Sequence, residues 1–237
     1  MWGEAGVQRR AERESVSFDT SAYLRRVTGR AKSDVANKLV SMFLHDVSRR
    51  LCGSLELRVN DPRYAAAVAE AFGTNCCYCG LPLERDRAAV EHLDGMNRFR
   101  VGLHIPGNVI LACTRCNREK RRDDSTPVLK LAQSGWESFL AHSADGCASA
   151  CNSCGYWGRV WPEAADRVSK LNAARDRITA FRKNYLPYLE LNAKARAVLG
   201  QEFDAIYRDC QEFATTRIKA AVEDVLRELV PAKPGGA

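Results

Sequence analysis

Two Cys-x-x-Cys pairs, Cys76 with Cys79 and Cys113 with Cys116, constrain this chain more than any other feature. Four thiolates in two such pairs are the donor set of a closed tetrahedral zinc site. Cys77 adjoins the first pair, but only Cys76 has the two-residue spacing to Cys79. The start, MWGEAGVQRRAERES, carries charges with no apolar segment after them, so it reads neither as a secretory signal nor as a transit peptide. The expected location is therefore the cytoplasm, where paired cysteines point to metal rather than to disulfides. Of the ten cysteines, Cys52 and Cys210 lie outside the cluster and are expected to be ordinary buried thiols.

The chain of 237 residues, 46% apolar, is long enough for one to two domains with a core of their own. No apolar run approaches the ~18 residues of a membrane span, so no membrane partner is expected. The net charge of +7 favours an anionic partner, and its distribution is informative. Arg98, Arg100, Arg115, Arg118, Lys120, Arg121 and Arg122 stand against the single acid Glu119 in that stretch, which concentrates nearly all of the charge and makes these seven the candidate nucleic-acid contacts.

Periodicity outlines the rest. Ser33 to Leu51 reads as an amphipathic helix with Val35, Leu39, Phe43, Val47 and Leu51 on one face, Ser33 as its cap and Gly53 past its end. Leu55, Leu57 and Val59 alternate as in a short strand. Asn60-Asp61-Pro62 starts a helix carrying Tyr64, Val68 and Phe72 to a stop at Gly73. Beyond Trp161 one stripe runs Val168, Leu171, Ile178, Phe181, Tyr185. Pro187 interrupts, and a second stripe runs from Phe203 through Ile206, Cys210, Phe213, Ile218, Val222 and Val225 to Leu229.

Between the cysteine pairs, Ala88 to His92 predicts a strand ending in an acid and a histidine. Residues 94–107 form a loop with three glycines, and Asn108 to Ala112 a second strand. A helix follows, with Thr114 able to cap it; Asn117, Lys120 and Arg121 are expected on one face and Cys116 about 100° away, toward the zinc. With CCYCG at 76–80, VEH at 90–92, NVILAC at 108–113 and CNREK at 116–120, residues 74–124 resemble the HNH endonuclease family, the ββα-metal or His-Me finger nucleases of the four-cysteine subtype. Glu91 stands where that family more often has Asp, and Asn117 where either His or Asn occurs.

The resemblance implies His92 as general base, Glu91 and Asn117 as ligands of a catalytic Mg²⁺ or Mn²⁺, and Asn108 as the residue that holds the loop behind His92. A neutral imidazole and oxygen donors suit those tasks. His104 is the rival base, its place in the loop suiting substrate contact. A second, Cys₃His zinc site is expected from His142, Cys147, Cys151 and Cys154, stapling a stretch from Ala141 to Trp157 that otherwise lacks apolar residues.

The expected architecture is mainly α with a small zinc-stabilised ββα-metal core and helices on both sides. Its divisions are a flexible start (1–17), a helical segment (18–73), the core (74–124), a linker with the second zinc cluster (125–160), a C-terminal helical region (161–230) and a tail (231–237). The function expected is hydrolysis of DNA phosphodiesters, in restriction or phage defence. The rivals are a non-catalytic zinc-stabilised nucleic-acid-binding module and a nuclease subunit that needs a partner protein. Pairing of two chains through the stripe from Phe203 to Leu229 would set one centre on each DNA strand.

Overall fold

The computed structural model describes residues 27–84, 87–123, 135–141 and 152–229, and it is mainly helical around one two-stranded sheet. Helix α1 (Val27–Ser54) starts before the expected cap Ser33 and carries Gly53 inside its last turn. Two apolar columns run side by side on it, about 100° apart. The buried column is Ala36, Val40 and Leu44, whereas Leu39 and Phe43, expected inside, are 43% and 42% exposed. The neighbours decide this: Val40 and Leu44 pack with Val101, Leu103, Ile105 and Phe203, while Phe43 meets Phe203 only edge-on at 5.5 Å.

Leu55, Leu57 and Val59 keep their alternating burial without forming a strand. The chain turns instead, Asp61 N–H donating to the Arg58 carbonyl at 3.0 Å. Helix α2 (Pro62–Phe72) then begins as expected. The Asp61 carboxylate accepts from Arg63 N–H, Pro62 occupies the first turn where its missing donor costs nothing, and Gly73 at φ 61° ends the helix. Its buried face is Tyr64, Val68 and Phe72.

Strands β1 (Ala88–His92) and β2 (Val109–Cys113) pair antiparallel, from Ala88 opposite Cys113 to His92 opposite Val109. Alternation sends Val90 and Leu111 outward and Glu91 and Ile110 inward. The long connection folds back on itself at Gly102, where a Cβ would fall 1.7 Å from the Asp94 carbonyl oxygen, so only glycine fits. Helix α3 (Thr114–Asp123) leaves β2 directly.

Helices α4 (Trp136–Leu140) and α5 (Asn152–Val160) bring Phe139, Tyr156 and Trp157 into the main core, which also holds Cys76, Cys79, Cys116 and the inner face of α6 (Ala164–Lys183). The stretch before Trp157 is thus not short of apolar anchors: Tyr156 and Trp157 are almost fully buried. Helix α7 (Leu186–Phe213) restarts the chain with Pro187 in its first turn. One π-helical turn (Ala214–Ile218) joins it to α8 (Lys219–Leu229). The five-residue step from Phe213 to Ile218 stays on one face because an i→i+5 turn closes it. Burial ends there, however. Phe203 is buried, but Phe213, Ile218, Val222, Val225 and Leu229 range from 47% to 72% exposed, so the second stripe packs only at its beginning. Among the described residues no helix is long and apolar enough to cross a membrane.

Candidate metal centre and adjoining histidine cluster

The sulfurs of Cys76, Cys79, Cys113 and Cys116 lie within 4.8 Å of one another. Cys76 and Cys79 sit on a turn closed by Gly80 N–H onto the Cys76 carbonyl, with Gly80 at φ 70°. Cys113 ends β2 and Cys116 lies in the first turn of α3, its N–H directed at the Cys113 sulfur. The donor set is compatible with a structural zinc ion: four sulfurs in a compact group, three of them buried and the fourth partly so. The hydrogen bond with Cys116 leads the influences that hold the Cys113 thiol down at about 7, while burial pushes Cys77, outside the group of four, well above its usual range. Tyr156 OH contacts the Cys116 sulfur at 2.9 Å, a partner outside the cysteine motif that only tertiary packing supplies.

Along α3, Cys116 and Lys120 are one turn apart and both are buried, so they share the inner face. Asn117 is half-buried beside them. The expectation that Lys120 faces a phosphate is corrected here. Its ammonium donates to Glu91 Oε1 at 2.6 Å and to the His92 carbonyl at 2.7 Å. Tyr78 OH donates to the same Glu91 oxygen at 3.1 Å. Tyr78 and Lys120 both dock Glu91, itself 2% exposed, and Lys120 already neutralises it; it does not fit the role of ligand to an exchangeable Mg²⁺ or Mn²⁺. Burial dominates Tyr78, raising its pKa well above the usual range, so it stays a donor.

His92 closes β1 at the end of the sheet away from the sulfurs. Asn108, fully buried, ties the connection behind it: its Oδ1 accepts from Asp94 N–H at 2.7 Å, and its Nδ2 donates to the carbonyls of Leu103 at 2.8 Å and Asp94 at 3.2 Å. Burial would raise the Asp94 carboxyl, but Arg182 at 2.9 Å outweighs it and the pKa is lowered. His92 Nε2 lies 3.0 Å from His104 Nδ1, and the His45 ring stands edge-on to His92 at 6.5 Å. Burial pulls the His92 pKa down to about 3, with His104, Lys120 and His45 adding to the effect; burial lowers His104 as well, with a smaller push from His45. Both rings are therefore neutral near pH 7. Sequence reasoning missed His45 and the serine that anchors His104, Ser48, because both sit on α1, far from the motif in the chain.

The basic segment divides. Arg98 pairs with Asp204 at 3.2 Å and stacks on Tyr207, and Arg100, 13% exposed, turns toward Glu137 at 3.8 Å; neither is presented to solvent as expected of nucleic-acid contacts. Their partners lie on α7 and α4, which attract them from sequence-distant positions. Arg115 and Arg118 are exposed, Arg115 with its guanidinium 5.6 Å from the Tyr156 ring centroid. The side chains of Arg121 and Arg122 lie outside the described part. Of the second zinc set, Cys154 is half-buried on α5, and His142, Cys147 and Cys151 lie outside the described residues. Compared with protein-family models, with curated proteins and with solved structures, the chain matches none.

Proposed function

We propose that this chain is a metal-dependent endonuclease of the HNH type that hydrolyses DNA phosphodiesters, acting in restriction or phage defence. The observation that supports it best is the placement of His92. It ends a strand whose other end adjoins four clustered sulfurs, its backbone carbonyl is held by Lys120 from α3, and Asn108 locks the connection that follows it. A neutral imidazole fixed in this way can take a proton from a water attacking phosphorus. Asn108 acts through the backbone, keeping the 94–107 connection and hence His104 in place. A divalent ion would supply charge stabilisation at the phosphate. The ligand pair implied by the resemblance, Glu91 with Asn117, does not fit it, since Glu91 is neutralised by Lys120. Two chains pairing through the exposed face of α8 would bring two centres to one duplex.

The same Glu91–Lys120 pair favours a second reading, a zinc-stabilised nucleic-acid-binding module without catalysis, because it removes a carboxylate from the reacting surface. Zinc-loaded chain incubated with supercoiled plasmid and either Mg²⁺ or Mn²⁺ separates the two. Nicked or linear product that disappears in His92→Ala supports the nuclease, and retention on DNA without any cleavage supports the module.

A further inference from the structure

An open groove of about 810 Å³ lies against the histidine cluster, lined among others by His45, Arg49, Arg58, Asn60 and His104. His104 is the member of the close histidine pair that lines it. Helix α1 fixes that residue: Ser48 Oγ accepts from the His104 N–H at 2.9 Å, and the Cys52 thiol donates to its carbonyl at 3.3 Å. Ser48 is itself buried and donates to the Leu44 carbonyl at 2.6 Å.

The tautomers follow from the contact. If His92 is to accept a proton at Nδ1, its Nε2 carries the hydrogen and donates across the 3.0 Å to His104 Nδ1. His104, accepting at Nδ1 and neutral, must then carry its own hydrogen on Nε2. No protein group among the described residues holds that second N–H. Charge on the groove points the same way: Arg58 is exposed, and its guanidinium makes no hydrogen bond or ion pair among the described residues. Asp46, the acid on the wall, is occupied by Arg49 and Arg50, a trio with a surplus positive charge. Arg98, Arg100 and Lys120 pair with protein carboxylates, which leaves a nucleic acid Arg115 and Arg118 of the described basic segment and the cations of this groove.

We infer that this groove receives the phosphodiester backbone of the substrate, with Arg58 as a phosphate contact and His104 Nε2–H donating to an oxygen of the phosphate under attack. The inference rests on the nuclease reading for the role of His92, and it places the substrate path on α1, outside the ββα unit.

The test uses the zinc-loaded full chain and a fluorescently labelled DNA duplex, with affinity measured by anisotropy in EDTA at several salt concentrations, and cleavage measured separately with Mn²⁺. Arg58→Glu is expected to weaken binding at least about tenfold and to lower the slope of log affinity against log salt by about 1, with zinc content and thermal midpoint retained. His104→Asn keeps an acceptor for His92, but its amide N–H stops short of the Nε2 position that faces the groove. It should bind within about threefold of the parent and cut at least about tenfold more slowly, whereas His104→Gln, with its amide reaching further, should recover part of the rate. Unchanged affinity and salt slope in Arg58→Glu, with both falling in Arg118→Glu, would overturn the groove. So would full cleavage by His104→Asn. If the parent never cuts but Arg58→Glu loses binding, the groove stands and the nuclease reading fails. If the parent cuts and Arg58→Glu binds normally, the reverse holds.

Discussion

The two polar centres of this protein sit at opposite ends of one small sheet and are built on opposite plans. At the Ala88–Cys113 end, four sulfurs face one another within a core that includes aromatic rings. At the His92–Val109 end, roughly 13 Å away at the usual rise of a strand, imidazoles border an open groove. Helix α3 serves both, Cys116 docking on the sulfurs and Lys120, one turn on, holding the strand end that carries His92. A closed donor set holds the fold together; an open one with unheld nitrogens is available for chemistry.

The contrast breaks most completely at the closed end. Cys116→Ser should unfold the chain, since a structural zinc contributes about 10–16 kcal/mol in small zinc domains, comparable to the whole stability of an ordinary domain. Elemental analysis with circular dichroism checks it, and a folded, zinc-free variant would show that the sulfurs are not structural. Next is the buried ion pair between the two centres. Lys120→Met leaves Glu91 uncompensated and should cost about 3–5 kcal/mol in urea unfolding, and the double change with Glu91→Leu should recover most of that loss. A double variant that costs as much as Lys120→Met and Glu91→Leu added together would mean that the pair carries no coupling.

At the open end the effects move from stability to rate. His92→Ala should slow cleavage ~10²-fold or more, about 2.7 kcal/mol on the barrier, with zinc content unchanged and DNA affinity nearly so. Full activity would move attention to His104. His92 also carries a pH signature. Its folded pKa, lowered to about 3, lies below the ordinary value of 6.5, so the unfolded chain binds the proton first and stability is lost as pH falls from 6.5 toward 3. About 1 kcal/mol should go between pH 7.5 and 5.5, and His92→Asn should flatten that slope in denaturant titrations. The smallest effect belongs to the far end of the chain. Val222→Lys with Leu229→Lys should change the stability of a single chain by no more than about 0.5 kcal/mol per site, because both side chains are already half exposed or more. Light scattering of parent and variant reads the pairing: a dimeric parent made monomeric by the two charges supports association through α8, and a monomeric parent rejects it.

Local signals reached far into the ββα unit. The two strands and the helix after Cys113 follow from short segments set between the cysteine pairs and a glycine-bearing loop, and the four-sulfur group from the spacing of the cysteines, all short-range patterns; Thr114, expected as the cap, is instead the first residue of that helix. The start of α2 at Asp61-Pro62 and its end at Gly73 were equally legible. Legibility failed where two answers were locally equal. On α1 either apolar column satisfies a helical period, and only the approach of Val101, Leu103, Ile105 and Phe203 selects Val40 and Leu44. Residues 55–59 alternate like a strand, yet the chain turns at Arg58 and Asp61 instead of pairing.

The sequence by itself determined which residues could bind metal and which segments could be helices, because ligand spacing and side-chain periodicity are properties of contiguous chain. Tertiary structure alone decided how the charges are used. A lysine and three arginines read identically in a basic run, but burial against Glu91 makes Lys120 structural, Asp204 and Glu137 turn Arg98 and Arg100 inward, and Arg115 stays exposed over a tyrosine ring. It also brought His45, His92 and His104 together from three separate elements. A charge is oriented by its nearest partner in space, and chain distance says nothing about that partner when it lies 29 or 106 residues away.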